Sequence, residues 1–298
     1  MANAPTPGSD REESTAQLRP LLFSIAYRMT GSVTEAEDLV QEAFLRVHDA
    51  EQRGTEIESR RAYACAVVTR LSIDHLRSAR VRREEYVGEW LPEPIVTDRD
   101  SDPAQHAELS DSLSLAFLVL LERLSPPERA VFLLRDVFGY GFDEIAGLIG
   151  KTEDNCRQLA VRARQRVQES QPRFESSIEK RWALAERFFA AIEVGDTEGL
   201  EQLLAADAVL YADGGGKAPA RRTPLRCGVE AARFLTNLGR RARTDGFVLT
   251  LVDVNGQPGA IAHDSSGATI AVLSLDIVDD HVYAMRSVAN PEKLGHLS

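Results

Sequence analysis

A run of arginines between residues 60 and 83 is the feature of the sequence that most clearly indicates a chemistry. The run contains seven arginines and one aspartate, so its local net charge is +6. Arginines without nearby carboxylates bind the phosphate backbone of nucleic acids, because the release of counterions supplies the affinity. Apolar residues recur through the run at helical spacing, which predicts a helix from about residue 59 to 83 with a basic face. A solvated basic helix is the alternative interpretation.

A second basic segment follows a predicted helix start at Ser125-Pro126-Pro127-Glu128. Serine as N-cap, proline in the first turn and glutamate at the third position are typical of such a start. A short amphipathic helix is then predicted over 142–149, a turn over Gly150-Lys151-Thr152, and an arginine-bearing helix from Glu153 to Glu169. Two helices joined by a short glycine-containing turn, the second of them basic, describe a helix-turn-helix that reads the major groove.

A helix near the N-terminus carries an acidic face. Thr34 is predicted to cap this helix, with Glu37 completing a capping box. Asp38, Gln41 and Glu42 then form a polar face. The buried stripe of the same helix is predicted to contain Leu39, Val40, Phe44, Leu45 and Val47. The acidic face is either an ordinary solvated surface or a surface that binds another protein.

The strings at 36–47 and 68–77 together resemble region 2 of sigma-70 family factors, in particular the extracytoplasmic-function group. The segments Ser125–Arg129 and Glu144–Ala146 resemble region 4 of the same family. This resemblance implies a promoter-recognition subunit that is not an enzyme, with core RNA polymerase and promoter DNA as partners. It also implies two all-α domains, a region 2 helical bundle and a region 4 helix-turn-helix.

The resemblance assigns roles to individual residues. The residues expected to dock on core polymerase are Asp38, Gln41 and Glu42. The residues expected at the −10 promoter element are Arg60, Arg70, Asp74, His75, Arg77 and Arg80. The residues expected at the −35 element are Glu153, Asn155, Arg157, Gln158, Arg162 and Arg164. Arg162 and Arg164 are expected to contact backbone phosphates or to serve in packing.

Residues 86–105 form an acidic, proline-containing segment that predicts a flexible or extended linker, with the distinctive string Trp90-Leu91-Pro92-Glu93-Pro94. The extension over 176–298 predicts helices followed by an antiparallel meander, and therefore an α+β cone. This order resembles the SnoaL-like domains. The strings Asp213–Lys217 and Asn290–Leu294 resemble signatures of a sigma-factor subgroup regulated in cis by such an extension. The residues expected to act in this regulation are Trp90, Asp213, Gly214, Gly215, Gly216, Lys217, Asn290, Pro291, Lys293 and Leu294.

The predicted fold class is therefore multidomain, with two all-α sigma domains and a C-terminal α+β SnoaL-like cone. The expected divisions are a disordered N-terminus over 1–14, region 2 over 15–85, the linker over 86–105, region 4 over 106–171 and the regulatory domain over 176–298. Cooperation between these parts would direct RNA polymerase to specific promoters.

The composition narrows the classes of protein further. A formal net charge of −11 argues against indiscriminate coating of DNA. The three cysteines are far apart and odd in number, which favours reduced thiols over a disulfide framework or a metal site. The N-terminal residues lack an apolar core, and the longest apolar run, Leu115–Leu121, is far too short for a membrane span. These features predict a cytoplasmic protein without metal or cofactor.

Two other classes of function stay open at this point. A helix-turn-helix regulator with a ligand-sensing C-terminal domain would bind its operator without polymerase. A SnoaL-like enzyme with appended helices would use polar groups of the cone, for which Tyr211, Asp253, His263 and Asp276 are the candidates. Such groups are more often structural, so a non-enzymatic function is favoured. Nothing in the sequence identifies a small-molecule ligand for the cone.

Overall fold

The computed structural model describes residues 14–84, 86–98, 112–168 and 177–297, without the side chains of 79–84. Several expectations fall outside this part of the chain: the disordered N-terminus before residue 14, the linker residues 99–105, residues 106–111 and 169–171 of the expected region 4, and the role of the Arg80 side chain. Within the described part, no helix is both long enough and apolar enough to cross a bilayer.

The described residues form two compact units. The first unit contains those within Met1–Glu84 and Leu120–Ser170. The second contains those within Glu85–Val119 and Gln171–Ser298. The segment that follows the first helices therefore belongs to the same unit as the C-terminal part of the chain, although it connects the two helical parts of the first unit.

The first unit is entirely helical in its described residues. Its helices are α1 (Thr15–Thr30), α2 (Val33–Gln52) and α3 (Arg60–Glu84), followed by the end of α4 (Leu115–Leu121), α5 (Pro126–Phe132), α6 (Phe142–Ile149) and α7 (Glu153–Gln168). Helix α5 continues into a π-helical turn over Leu133–Val137. The bundle α1–α3 and the helix-turn-helix α6–α7 agree with the expected all-α class.

Local signals set the ends of the first helices. The hydroxyl of Ser14 and the side chain of Gln17 form a capping box at the start of α1, and Gly31 ends that helix in the left-handed conformation, with φ 70°. The predicted cap of α2 at Thr34 is wrong. Ser32 caps the helix instead, because its Oγ accepts a hydrogen bond from the Glu35 amide at 3.1 Å.

Helix α5 and the helix-turn-helix that follows it have the end signals that the sequence predicts. Ser125 and Glu128 form the capping box of α5, with prolines in its first turn. Gly150 ends α6 in the left-handed conformation, with φ 68°. The Oγ1 of Thr152 then accepts from the Asn155 amide at 3.3 Å, which caps α7. The sequence of this turn therefore fixes the geometry between the two helices.

The second unit is an α+β domain, as expected. Its helices are the first part of α4, α8 (Ile178–Val194), α9 (Thr197–Leu203) and α10 (Gly228–Thr244). Its strands are β1 (Val96–Thr97), β2 (Leu204–Asp213), β3 (Leu225–Arg226), β4 (Val248–Val254), β5 (Gln257–His263), β6 (Thr269–Val278) and β7 (His281–Val288). They form one sheet in the order β1-β4-β5-β6-β7-β2-β3, in which β2 and β7 are parallel and the other pairs antiparallel.

Strand alternation gives the sheet two apolar faces. On β6, Leu273 and Leu275 belong to the core that Phe188 of α8 and Leu235 of α10 also fill. Val272 belongs to a second cluster on the other face. The rest of that cluster comes from the sheet, the linker, α4 and the C-terminal tail: Leu91, Leu115, Val252, Val254, Ile261, Val288 and Leu294. The linker therefore contributes to the hydrophobic core of the C-terminal domain.

The connection between β4 and β5 is a tight hairpin turn. It has only Asn255 and Gly256 in its turn, with φ 55° and 77°. Positive φ at both central residues is the geometry that suits two-residue hairpins, and Asn-Gly is the sequence that favours it. Residues 257–259 consequently extend β5, where Gly259 lies between Val252 and Ser274.

Gly259→Ala tests the close packing of this hairpin. A methyl group here would overlap the Leu273 carbonyl oxygen and the Val254 side chain. Because the obstacle is backbone, we expect the C-terminal domain to lose about 1–3 kcal/mol of stability. Thermal unfolding followed by circular dichroism measures the loss. Gly295→Ala, where a methyl group meets open space, is the matched control and should melt like the wild type; equal melting of the two variants would contradict the packing.

Candidate nucleic-acid interface

Helix α2 presents a mixed acidic and apolar surface. Asp38 and Gln41 are exposed, and Glu42 accepts from Arg46 Nε at 2.7 Å in an exposed pair. Leu45, predicted to be buried, is 55% exposed. It lies seven residues after Asp38, so two helical turns place it on the same face. We define Asp38, Gln41, Glu42 and Leu45 as the α2 face.

Helix α3 gathers only part of the residues expected at the −10 element. Arg70, Asp74 and Arg77 share one face, since they are spaced by four and three residues. Asp74 and Arg77 form an exposed pair at 3.2 Å. Arg60 instead pairs with Glu51 at 2.9 Å, and His75 lies 3.3 Å from Glu35. The side chains of Arg60 and His75 therefore have partners within the helical bundle.

Arg70 is held by the helix-turn-helix of the same unit. Its Nε donates to the Leu148 carbonyl and its Nη2 to the Gly147 carbonyl, both at 2.8 Å. These carbonyls lie in the last turn of α6, where the helix dipole places partial negative charge. In this conformation the guanidinium of Arg70 is therefore engaged by protein and is not presented to a phosphate.

Helix α7 exposes a polar stripe with one apolar residue. Asn155 and Gln158 are exposed on successive turns, and Val161 follows them at 54% exposure. Arg157 is exposed too, but its guanidinium contacts Glu153 and lies 3.3 Å from Asp154 of the same helix. Amide side chains on a recognition helix bond base edges, and a small apolar group contacts the thymine methyl.

Two arginines of α7 hold the helix-turn-helix together. Arg164 pairs with Asp136 at 2.7 Å, and Arg162 lies 3.3 Å from Glu128. Glu128 is buried, and its carboxylate accepts from the Ser125 hydroxyl at 2.7 Å and also contacts Arg166. Burial opposes ionisation of Glu128, but the hydrogen bonds from Ser125 and the charges of Arg166 and Arg162 outweigh it, so its pKa lies below the usual range.

The residues expected to act in regulation converge on one buried carboxylate. Asp213 is fully buried, and its two oxygens accept from four donors. Tyr86 Oη donates to it at 2.5 Å and the Gly215 amide at 3.0 Å. The Leu91 amide donates at 2.8 Å and Lys293 Nζ at 2.7 Å. We call this set the Asp213 anchor.

Lys293 joins the linker to the C-terminal tail. Its ammonium contacts the Leu91 carbonyl and lies 4.3 Å from the centre of the Trp90 ring and 4.9 Å from that of Tyr86. Trp90 therefore acts as a packing residue. Burial, followed by the Asp213 carboxylate, raises the pKa of the Tyr86 hydroxyl, which keeps it a donor. Asn290 completes the set by donating to Tyr86 Oη at 2.9 Å.

The glycine run allows these segments to approach. Gly215 and Gly216 have φ of 58° and 72°. A side chain on Gly215 would collide with Asn290, and one on Gly216 would press on Val87 of the linker. The flanking Lys217 pairs with Glu292 at the surface. The regulatory set of the sequence prediction thus forms one contiguous cluster, to which Leu294 adds an apolar contact, and Pro291 begins the short 3-10 turn that contains Lys293.

The linker residues after the anchor are fixed to the sheet. Asn255 accepts from the Ile95 amide at 2.9 Å, and β1 pairs Val96 and Thr97 with the end of β4. His296 bonds the Pro94 carbonyl at 2.8 Å. Of the flexible and extended forms that the sequence allows, residues 86–98 adopt an extended one that is bound to the domain along its length.

Three of the four candidates for catalysis, Tyr211, Asp253 and Asp276, have structural partners. Arg286 pairs with Asp276, and its guanidinium lies 5.1 Å from the centre of the Tyr211 ring. Asp253 accepts from the Gly256 amide at 2.6 Å and so shapes the hairpin turn. His263 lies at the end of β5. Among the described residues there is also no group of three or more His, Cys, Asp or Glu side chains that could hold a metal ion.

Three residues of these surfaces escape the sequence prediction. Leu45 and Val161 are exposed apolar residues on the α2 face and on the polar stripe of α7, and Tyr86 donates to Asp213. The helical spacing of Leu45 from Asp38, and of Val161 from Gln158, would have placed both on those faces. No local signal identifies Tyr86, because its acceptor lies 127 residues further along the chain.

Comparison with known proteins assigns the family. Residues 15–82 match the family model Sigma-70 region 2, and residues 114–167 match Sigma-70, region 4. The ECF RNA polymerase sigma factor SigJ of Mycobacterium tuberculosis is 38% identical over 93% of this chain and 90% of that protein. SigG, an ECF RNA polymerase sigma factor of the same species, is 32% identical over 67% of this chain and 60% of that protein.

A crystal structure of the Mycobacterium tuberculosis extracytoplasmic function sigma factor SigJ has the same fold. It superposes with a TM-score of 0.74 and 34% sequence identity, covering 94% of this chain and 96% of that one. The likeness includes the C-terminal α+β domain as well as both helical regions. The chain belongs to the ECF RNA polymerase sigma factors.

Proposed function

We propose that this chain directs core RNA polymerase to promoters, and that the C-terminal domain regulates this activity in cis through the linker. One observation carries the proposal: a single compact unit presents the α2 face together with a helix-turn-helix whose second helix exposes Asn155 and Gln158. A protein-binding face and a base-reading face in one unit suit a subunit that joins polymerase to DNA. Transcription from a promoter by core polymerase, with and without this chain, tests the proposal.

The α2 face is the proposed contact with core polymerase. Asp38 and Gln41 supply polar groups, and Leu45 supplies apolar area that becomes buried on binding. An exposed leucine surrounded by polar groups is a typical anchor of an interface. A helix-turn-helix regulator that works without polymerase does not need such a face. If transcription requires the α2 face, a sigma-factor function is therefore favoured over that of a regulator.

The proposed reading of promoter DNA uses two helices. On α7, Asn155 and Gln158 contact base edges at the −35 element, with Arg157 beside them. On α3, Arg70, Asp74 and Arg77 face the −10 element. Because Arg70 is bonded to α6 in the free chain, its release must accompany promoter binding. The promoter-reading helices of the free protein should consequently contribute little to duplex binding until polymerase is present.

The proposed role of the C-terminal domain follows from its hold on the linker. The linker connects the region 2 helices to the helix-turn-helix, and the Asp213 anchor shortens the free part of that connection. A shorter tether restricts how far two DNA-reading parts can separate.

We further propose that the domain is not an enzyme, because apolar side chains such as Phe188, Leu275 and Met285 fill the space between its helices and sheet.

Leu45→Ser is expected to weaken the binding of core polymerase about tenfold, since burying a leucine contributes roughly 1.5–3 kcal/mol and only part of it is lost to serine. The folded chain should keep its melting temperature, because the side chain is already 55% exposed. Fluorescence anisotropy of labelled chain titrated with cognate core polymerase measures the affinity. Val194→Ser, at a residue 68% exposed in the C-terminal domain, is the control. If L45S bound core polymerase with wild-type affinity, the assignment of the α2 face would be wrong.

Asp213→Asn tests the cis regulation. The amide cannot accept from all four donors and leaves the buried Lys293 ammonium without its counter-charge, so we expect a loss of about 3–5 kcal/mol in the C-terminal domain. Release of the linker should raise promoter-dependent transcription and expose residues 86–98 to protease. Asp207→Asn, at an exposed carboxylate of the same strand, is the control and should change neither readout.

A milder variant separates release of the linker from loss of the fold. Tyr86→Phe removes one hydroxyl that donates to Asp213, so we expect a loss of about 1–2 kcal/mol and an intermediate rise in transcription. The protease sensitivity of the linker should rise in the order wild type, Y86F, D213N. The level of promoter-dependent transcription should rise in the same order. A released linker with unchanged or lower transcription would rule out the proposed regulation.

A further inference from the structure

Helix α10 and the segment before it carry a dense arginine surface in the C-terminal domain. Residues 217–245 contain eight basic and two acidic residues, although the whole chain has a net charge of −11. The seven arginines of this stretch are all exposed. They are Arg221, Arg222, Arg226, Arg233, Arg240, Arg241 and Arg243, which we call the α10 arginine surface.

None of these arginines forms an ion pair with a carboxylate among the described residues. Their contacts are of other kinds: Arg221 lies 5.6 Å from the centre of the Phe234 ring, and Arg240 donates to Asn237 at 3.2 Å. Arg241 and Arg243 lie in the last turn of α10, where a cation stabilises the helix dipole. That effect accounts for two of the arginines and leaves five unexplained, so the surface is suited to an anionic partner outside the domain.

The linker forms no ion pair with these arginines among the described residues, although Gly88 lies beside the backbone of Arg222. The described ends of the linker's acidic part are fixed at the far end of β4, where Thr97 pairs with Asp253 and Asn255 donates to the Leu113 carbonyl. Helix α10 ends at Thr244, next to the beginning of β4. Leu91 of the linker packs on the sheet face opposite to the one that α10 covers, because Leu91 and Leu235 of α10 belong to different clusters.

We propose that the α10 arginine surface binds the phosphate backbone of duplex DNA. Helix α10 has 17 residues. Four of the arginines lie on it between residues 233 and 243, which spreads them over about 15 Å at 1.5 Å per residue, and a row of phosphates offers them several separate acceptors. Guanidinium groups match phosphate oxygens in a bidentate geometry, and contacts of this kind are independent of base sequence. The inference rests on the proposed function only in assuming that this chain meets DNA. The α10 arginine surface itself should bind duplex without polymerase.

The test is a pair of double variants that remove the same charge from different surfaces. The first is Arg240→Gln with Arg241→Gln, and the control is Lys180→Gln with Arg187→Gln on the exposed side of α8. The full-length chain is titrated into a labelled mixed-sequence duplex at several NaCl concentrations. For the first variant we expect an affinity about tenfold lower at low salt and a slope of log K against log salt reduced by about two, whereas the control keeps the wild-type slope.

Equal slopes for the two double variants would overturn the proposal. It would also be overturned if the R240Q/R241Q chain kept its duplex affinity but lost affinity for core polymerase, because the partner would then be an acidic protein surface. Promoter-dependent transcription by the wild-type chain and core polymerase is measured in parallel. Its absence would refute the proposed function, while the salt slopes would still decide the α10 surface.

Discussion

The fold of the C-terminal unit depends on one buried carboxylate. Asp213 has no contact with solvent, and an ionised group in such a place is stable only if it is paired and hydrogen-bonded. Its donors come from the linker, from the adjacent glycine turn and from the C-terminal tail. Any rearrangement that moves one of these segments leaves part of the buried carboxylate without a hydrogen-bond donor, so the three segments are held as a unit. This constraint turns a linker between DNA-reading parts into a component of another domain.

Much of the fold could be predicted from local sequence, because local interactions set it. Ser125 and Glu128 fix the start of α5, and Gly31 and Gly195 end their helices in the left-handed conformation. The antiparallel meander follows from β-rich stretches separated by turn residues. The exposed position of Leu45 and the true cap of α2 at Ser32 were missed, although helical spacing and the adjacent serine carry the needed signals.

The remaining features depend on contacts between residues that are distant in sequence. The bonds from Arg70 to the last turn of α6 span 77 and 78 positions. Neither segment contains a local indication of the other, since a carbonyl at a helix end accepts from any suitably placed donor. The same holds for the linker, whose composition fits a free chain as well as a bound one. Motif resemblance grouped Trp90 with Asp213 and Lys293, but only the fold supplies the contacts that join them.

The strand β1 has a consequence for the border of the sheet. It is two residues long and lies at one border of the sheet, where it pairs with Val254 and Asp253 of β4. Among the described residues, β4 has no strand partner on its outer side before Asp253, so detachment of β1 would leave the last two residues of β4 unpaired as well. Such an open border is a template for pairing with another chain and for aggregation. The bound linker therefore shortens the open border of the sheet and reduces the edge that is available for self-association.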